Sequence, residues 1–161
     1  MTDLRLLRAC CSAGLAAAVL ALGGCTSVPQ ASDERDAEAK HFVTHPNAAT
    51  LYVYRPDFPS GDSEWTDSVL WVNNRLIGST LPRTFFRLDL RQGRHVLRGD
   101  GPDLGHLTLD TGTGEIYFVR LNVIGRTSNF TLVAPEIGKK EILRCCALME
   151  NWAPGQRPLL R

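Results

Sequence analysis

Cysteines carry the most definite chemistry in this chain. Cys25 closes the stretch Leu22-Gly23-Gly24-Cys25, directly after an apolar run rich in Ala and Leu. A thiol placed there can be alkylated to a stable thioether bearing a diacylglycerol. Cleavage before it frees an amine that can take a further acyl chain such as palmitate. The pattern resembles a bacterial lipobox, and it makes Cys25 the one lipidation site expected in the sequence. Each buried methylene contributes about 0.8 kcal/mol and a single chain holds only marginally, so several chains make a durable anchor.

Five cysteines occur in all, and Cys10 and Cys11 lie ahead of the cut. Cys145 and Cys146 remain, adjacent in sequence. An apolar stripe of helical period runs through them, and successive helical side chains diverge widely. The expectation is therefore two thiols not bridged to each other, one or both packed as small apolar groups, the other reading being a redox or intermolecular disulfide role. They lack the Cys-X-X-Cys spacing that tunes thiol acidity.

Other chemistry-bearing residues are weaker. His41 and His45 lie four apart, but Pro46 disfavours helix at His45 and no acidic or thiol ligand sits close by. His95 and His106 open two successive strands and are not expected to fall opposite each other. With Asp100 or Asp103 beside them they offer the only hydrolase-like grouping. There is no Gly-X-Ser-X-Gly elbow. Gly112-X-Gly114 lacks a third glycine and precedes a strand, so it reads as a turn. Arg55 ends an aromatic strand near Trp65. It is expected to pair with a carboxylate and cover a ring, the other reading being a recognition surface with Tyr52 and Tyr54. Asn129-Phe130-Thr131 matches a glycosylation sequon and reads as chance. No catalytic, metal-ligating or cofactor-binding residues are assigned.

The elements that must position these residues follow from the rest of the chain. Residues 1–24 have the layout of a secretory leader, with Arg5 and Arg8 before an apolar centre too short to span a bilayer. Thr26, not aspartate, follows Cys25, which by resemblance to the sorting habit of Gram-negative lipoproteins implies the periplasmic face of the outer membrane. The 18 basic and 17 acidic residues give a net charge of +1, which supplies no argument for a nucleic-acid partner. Residues 25–48 read as a lipid-anchored linker, small and polar at first, then charged from Asp33 with Ser32 or Asp33 able to cap a short helix. As flexible chain it would span roughly 25–30 Å.

From 49 to 152 the pattern is that of strands. Leu51-Tyr52-Val53-Tyr54 is β-branched and aromatic. Two apolar runs flank Asn73-Asn74, which suits a hairpin because Asn tolerates positive φ. Phe86, Leu88 and Leu90 alternate with Arg87 and Asp89. The run 115–123 is apolar on both faces and is expected inside a sheet. Turn signals recur every 8–12 residues, the mark of an all-β sandwich or barrel. Residues 139–151 read as an amphipathic helix on the sheet, with Ile142, Cys145, Cys146 and Met149 facing it. Residues 153–161 form an irregular tail. The expected fold is thus all-β, a small antiparallel β-sandwich of about seven or eight strands with one C-terminal amphipathic helix.

The motifs Ala39-Lys40-His41-Phe42, Leu51-Tyr52-Val53-Tyr54-Arg55-Pro56, Val72-Asn73-Asn74-Arg75-Leu76-Ile77-Gly78, Phe85-Phe86, Gly93-Arg94-His95 and Gly114-Glu115-Ile116-Tyr117-Phe118-Val119 resemble a family of small bacterial lipoproteins grouped as a domain of unknown function (2846). The likeness covers about Ala39 to Met149. It implies a β-sandwich and carries no catalytic residues. The expectation is a non-enzymatic lipid-anchored envelope lipoprotein, a binding or structural accessory module. It is held in the membrane by acyl chains on Cys25, with an envelope protein or glycan as partner and no cofactor. The alternative is a hydrolase of cell-envelope material with catalytic residues on loops. A closed pocket with convergent His and carboxylate groups would favour that alternative, and an open patch or free strand edge the module.

Overall fold

The computed structural model describes residues 29–56, 68–99, 105–124 and 127–150. Among them nine strands and two helices follow in the order α1 (Asp33–Ala39), β1 (Ala49–Arg55), β2 (Ser68–Val72), β3 (Arg75–Thr80), β4 (Thr84–Leu90), β5 (Gly93–Arg98), β6 (His106–Thr111), β7 (Ile116–Ile124), β8 (Thr127–Val133), α2 (Pro135–Cys145) and β9 (Ala147–Leu148). The strands form a larger sheet, β8-β7-β1-β4-β9, and a smaller one, β3-β2-β5-β6. The fold is the expected all-β sandwich. Pairing is not purely antiparallel, because β1 runs parallel to β7 and β4 parallel to β9. Residues 1–24, expected as a leader, Cys25, and residues 153–161, expected as an irregular tail, lie outside the described residues.

Period-two alternation sorts the side chains of the larger sheet. On β1, Leu51 and Val53 point between the sheets, while Tyr52 and Tyr54 point outward. Every residue of β1 is buried, and β1 holds the centre of its sheet with β7 beside it. Phe86, Leu88 and Leu90 of β4 join Leu51 and Val53 in the inter-sheet core, where Leu70, Val72, Leu97 and Leu109 of the smaller sheet meet them. The Asn73-Asn74 turn has φ of 50° and 63° and joins β2 to β3 with two residues, the geometry these asparagines were expected to accept.

The outer face of the larger sheet is not bare. Tyr52 and Tyr54 pack there with Phe85, Phe118, Ala39 of α1, and Ile142, Cys146 and Leu148 from the chain's end. Two helices supply this layer, the C-terminal one expected on the sheet and α1, the short helix that Ser32 or Asp33 was expected to cap. Residues 29–48, expected as flexible tether, belong to the fold. Ser32 caps α1 by accepting from the Arg35 amide, and the Tyr52 hydroxyl donates to the Ala39 carbonyl at 2.6 Å. Phe42 sits at φ 53°, a conformation rare for a bulky residue. Its ring packs 5.3 Å from Tyr52 and 5.7 Å edge-on from Phe118, contacts that offset the backbone cost. Gln30 then pairs with Met149 as an extra antiparallel rung beyond β9.

The C-terminal helix is also displaced from its expected span. Pro135 ends β8 and occupies the first turn of α2, where its missing N–H costs nothing. The helix stops at Cys145. Residues 147–149 find backbone partners on β4 instead, with Ala147 N donating to Arg83 O at 3.0 Å and Met149 N to Phe85 O at 2.9 Å. The ladder therefore wins over three more residues of helix. Met149, expected on the helical stripe, lies in the inter-sheet core.

Candidate functional site

Two unusual local features meet at the start of β4 and β9. The first is covalent. Cys145 and Cys146 are joined to each other in a disulfide. This corrects the expectation of two thiols not bridged to each other. That expectation rested on a helix running through both residues, but Cys146 is extended, with φ −123° and ψ 142°. The divergence of helical neighbours therefore does not apply to the pair. Cys146 is buried with its Sγ 3.8 Å from the Arg55 carbonyl, while Cys145 is half-buried.

The second feature is Arg83, which takes φ 62° in the short turn before β4. Left-handed backbone at a non-glycine residue persists only where the surroundings fix it. Here the Arg83 amide donates to Arg55 O at 2.8 Å and its carbonyl accepts from Ala147 N. Thr84 Oγ1 donates to Leu81 O at 2.6 Å and closes the same turn.

Between them lies an open groove of about 490 Å³. Its walls are Gln30, Lys40, the 81–84 turn, Leu143, and Cys145 to Ala147. Among the described residues the lining carries the cations Lys40 and Arg83 and no carboxylate. Lys40 also pairs with Asp36 at 2.5 Å, and Asp36 in turn accepts from the Leu148 amide at 2.7 Å. Volumes of this order accept small ligands where apolar walls and a few polar groups converge.

A polar knot joins α2 to the sheet next to this groove. Arg120 of β7 donates to Glu141 through Nε at 2.9 Å and a terminal nitrogen at 2.5 Å, and Tyr54 donates to the same carboxylate at 2.5 Å. Burial, then the Glu141 carboxylate, push the Tyr54 phenol up to about 12. Burial likewise pushes Tyr52 up to about 12, against the opposing pull of Arg87. Both phenols are therefore neutral donors that fix packing, and they supply no base.

The two histidines considered for hydrolysis do not meet. His95 is buried, with Nδ1 2.8 Å from Asn73 Nδ2 and Nε2 2.7 Å from the Arg91 carbonyl. Both ring nitrogens thus brace the β2–β3 turn and the β4–β5 turn. His106 is exposed and pairs in register with Arg98, three rungs from the pairing of His95 with Leu109. Asp100, Asp103 and Trp65 lie outside the described residues. His45 Nδ1 accepts from the Asn47 amide at 3.1 Å, and His41 is exposed. Among the described residues no group of three or more His, Cys, Asp or Glu side chains converges.

Arg55 is buried, only 4% exposed, and donates to the Thr80 carbonyl at 2.7 Å. Tyr52 and Tyr54 are fully buried, so these three residues form no recognition surface. The Gly112–Gly114 segment is a turn, with Gly114 at φ 76° donating to Ala48 O. Asn129 stands exposed on β8 opposite Asn122. The adjacent cysteines were the only sequence signal at the groove. Arg83 and Gln30 come to it from separate segments and had none.

Comparison with known proteins adds a relative. An uncharacterized protein of Haemophilus influenzae is 30% identical over 136 residues, covering 81% of this chain and 79% of that one. The chain belongs to that protein's family. No family model matches the chain, and no solved structure matches it.

Proposed function

We propose that this family member is a lipoprotein anchored through Cys25 to the periplasmic face of the outer membrane, serving there as a non-enzymatic binding or structural module. The reading is carried by Leu22-Gly23-Gly24-Cys25 at the end of a short apolar leader. The likeness of the strand and turn motifs to a family of small bacterial lipoproteins supports the same reading. His95, one of the residues offered for hydrolysis, has both ring nitrogens engaged by the scaffold, and this weighs against it as a catalytic base. The partner proposed is an envelope protein or glycan, with the groove beside Arg83 as the place to look.

The anchor is tested by Cys25→Ser in cells fed labelled palmitate. Label should disappear and the leader should remain attached. Unchanged labelling would refute the assignment. The partner is tested by cross-linking in intact cells with the acylated chain. Recovery of one envelope component in repeated captures is the expected result, and recovery of none under several growth conditions counts against the binding reading.

A further inference from the structure

We propose that the Cys145–Cys146 bridge is a thiol–disulfide exchange site, opened by a dithiol while the protein stays folded. The proposal rests neither on acylation of Cys25 nor on the partner sought at the groove. It starts from how little the bridge does for the fold. A disulfide stabilises mainly by closing a loop of chain, and the gain grows with the loop. Adjacent cysteines enclose no residue between them. The backbone around them is held by other means. The Cys146 amide donates to Ile142 O and the Ala147 amide to Arg83 O, both at 3.0 Å. The Met149 amide reaches Phe85 O and the Glu150 amide reaches the Pro29 carbonyl, both at 2.9 Å. None of these bonds needs the bridge. The buried sulfur is also provided for after reduction, since Cys146 Sγ lies 3.8 Å from the Arg55 carbonyl, an acceptor for the S–H that reduction creates.

Access sets the direction of the reaction. Both cysteines line the open groove, and Cys145 is half-buried where Cys146 is only 5% exposed. Attack therefore falls on Cys145 Sγ. One thiolate of the dithiol bonds to that sulfur, the Cys145–Cys146 bond breaks, and Cys146 leaves as a thiolate that takes up a proton. The second thiolate of the dithiol then attacks its own partner sulfur in the mixed disulfide and expels Cys145, which is protonated in turn. The dithiol becomes a disulfide, the pair gains two electrons, and the dithiol's two protons end on Cys145 and Cys146. A monothiol stalls at the mixed disulfide, because Cys146 stands beside it and re-forms the original bond. The substrate class is thus a dithiol.

The test treats the folded, mature chain with dithiothreitol, quenches by alkylation, and weighs the peptide that carries both cysteines. The opening rate should rise in proportion to dithiothreitol, with the near-ultraviolet dichroism of the tyrosines unchanged, and oxidised glutathione should close the bridge again. A rate independent of dithiothreitol would mean that unfolding must come first, and loss of the dichroism on opening would make the bridge part of the scaffold. Either result would overturn the proposal. 2-Mercaptoethanol at equal thiol concentration should open the bridge at least roughly tenfold more slowly, and equal rates would refute the dithiol assignment. Two variants read the direction. The thiol left by Cys146→Ser should react with an aromatic disulfide reagent at least about tenfold faster than the thiol left by Cys145→Ser. The reverse order would refute attack at Cys145.

Discussion

The two faces of the larger sheet are built from different materials. The inner face is largely aliphatic, Leu51, Val53, Leu88, Leu90, Val119 and Leu121 against the smaller sheet. The outer face is aromatic, Tyr52, Tyr54, Phe85 and Phe118 beneath two helices. Aliphatic side chains interdigitate without orientation, so strand alternation alone suffices to build the inner face. The outer face depends on ring geometry and polar tips. Tyr52 stacks 5.1 Å from Phe118 at 14° and 5.9 Å from Phe85, and its hydroxyl reaches the end of α1. One face is filled by contiguous strands, the other by segments from opposite ends of the chain.

Phe118→Ala tests that contrast most severely. The ring touches Phe42, Tyr52 and the α2 surface, so its loss should cost about 3–5 kcal/mol in urea unfolding. A loss below about 1 kcal/mol would mean that the helical layer sits loosely and that the aliphatic face alone sets stability. Gly138→Ala is a test of sign. Helix propensity alone favours Ala by about 1 kcal/mol. A Cβ at Gly138, however, would run into Phe118, so the expected outcome is destabilisation by about 1–3 kcal/mol. A stabilised variant would show that α2 does not approach β7 this closely.

Alkaline titration probes the same face without mutation. The unfolded chain releases its phenol protons near 10.0, and the folded chain holds those of Tyr52 and Tyr54 to about 12. Between these values the unfolded state binds fewer protons, so stability falls as pH rises through this window. Tyrosinate absorbance should therefore grow together with unfolding. Ordinary titration of all three tyrosines near 10.0 in folded protein would contradict the burial. Tyr52→Phe should cost only about 1 kcal/mol, the worth of one hydrogen bond, and no loss at all would separate α1 from the sheet. The disulfide calls for a mass measurement alone. Alkylation of unfolded, unreduced protein should leave Cys145 and Cys146 unmodified, and reduction should expose two thiols.

The same contrast explains what was legible in the sequence. Phe86, Leu88 and Leu90 announce a half-buried strand because period two is a local property, and Asn73-Asn74 announces its turn for the same reason. The outer layer left little local trace. Only Ala39 and Phe42 face the sheet from the stretch between Asp33 and His45, and charged neighbours surround them, so the stretch read as tether. Helical period also runs on past Cys145 into residues whose backbone β4 claims, a competition settled by a distant strand. That misplaced helix end concealed the disulfide, and with it the groove. The proposal at Cys25 draws on no part of the fold, since the motif it rests on is linear.

The hydrogen bond from the Glu150 amide to the Pro29 carbonyl has a consequence for how the protein is made. It joins the first and last described segments, so this edge cannot close until nearly all of the chain is present. Contacts of such long sequence separation form late, after a large loop has closed. Until then Tyr52, Phe85 and Phe118 lack their cover and β4 has an unpaired flank, the state most open to association with other chains. A chain exported from its N-terminus would pass through that state in transit. Folding yield should therefore be more sensitive to loss of the last dozen described residues than their small share of the chain suggests.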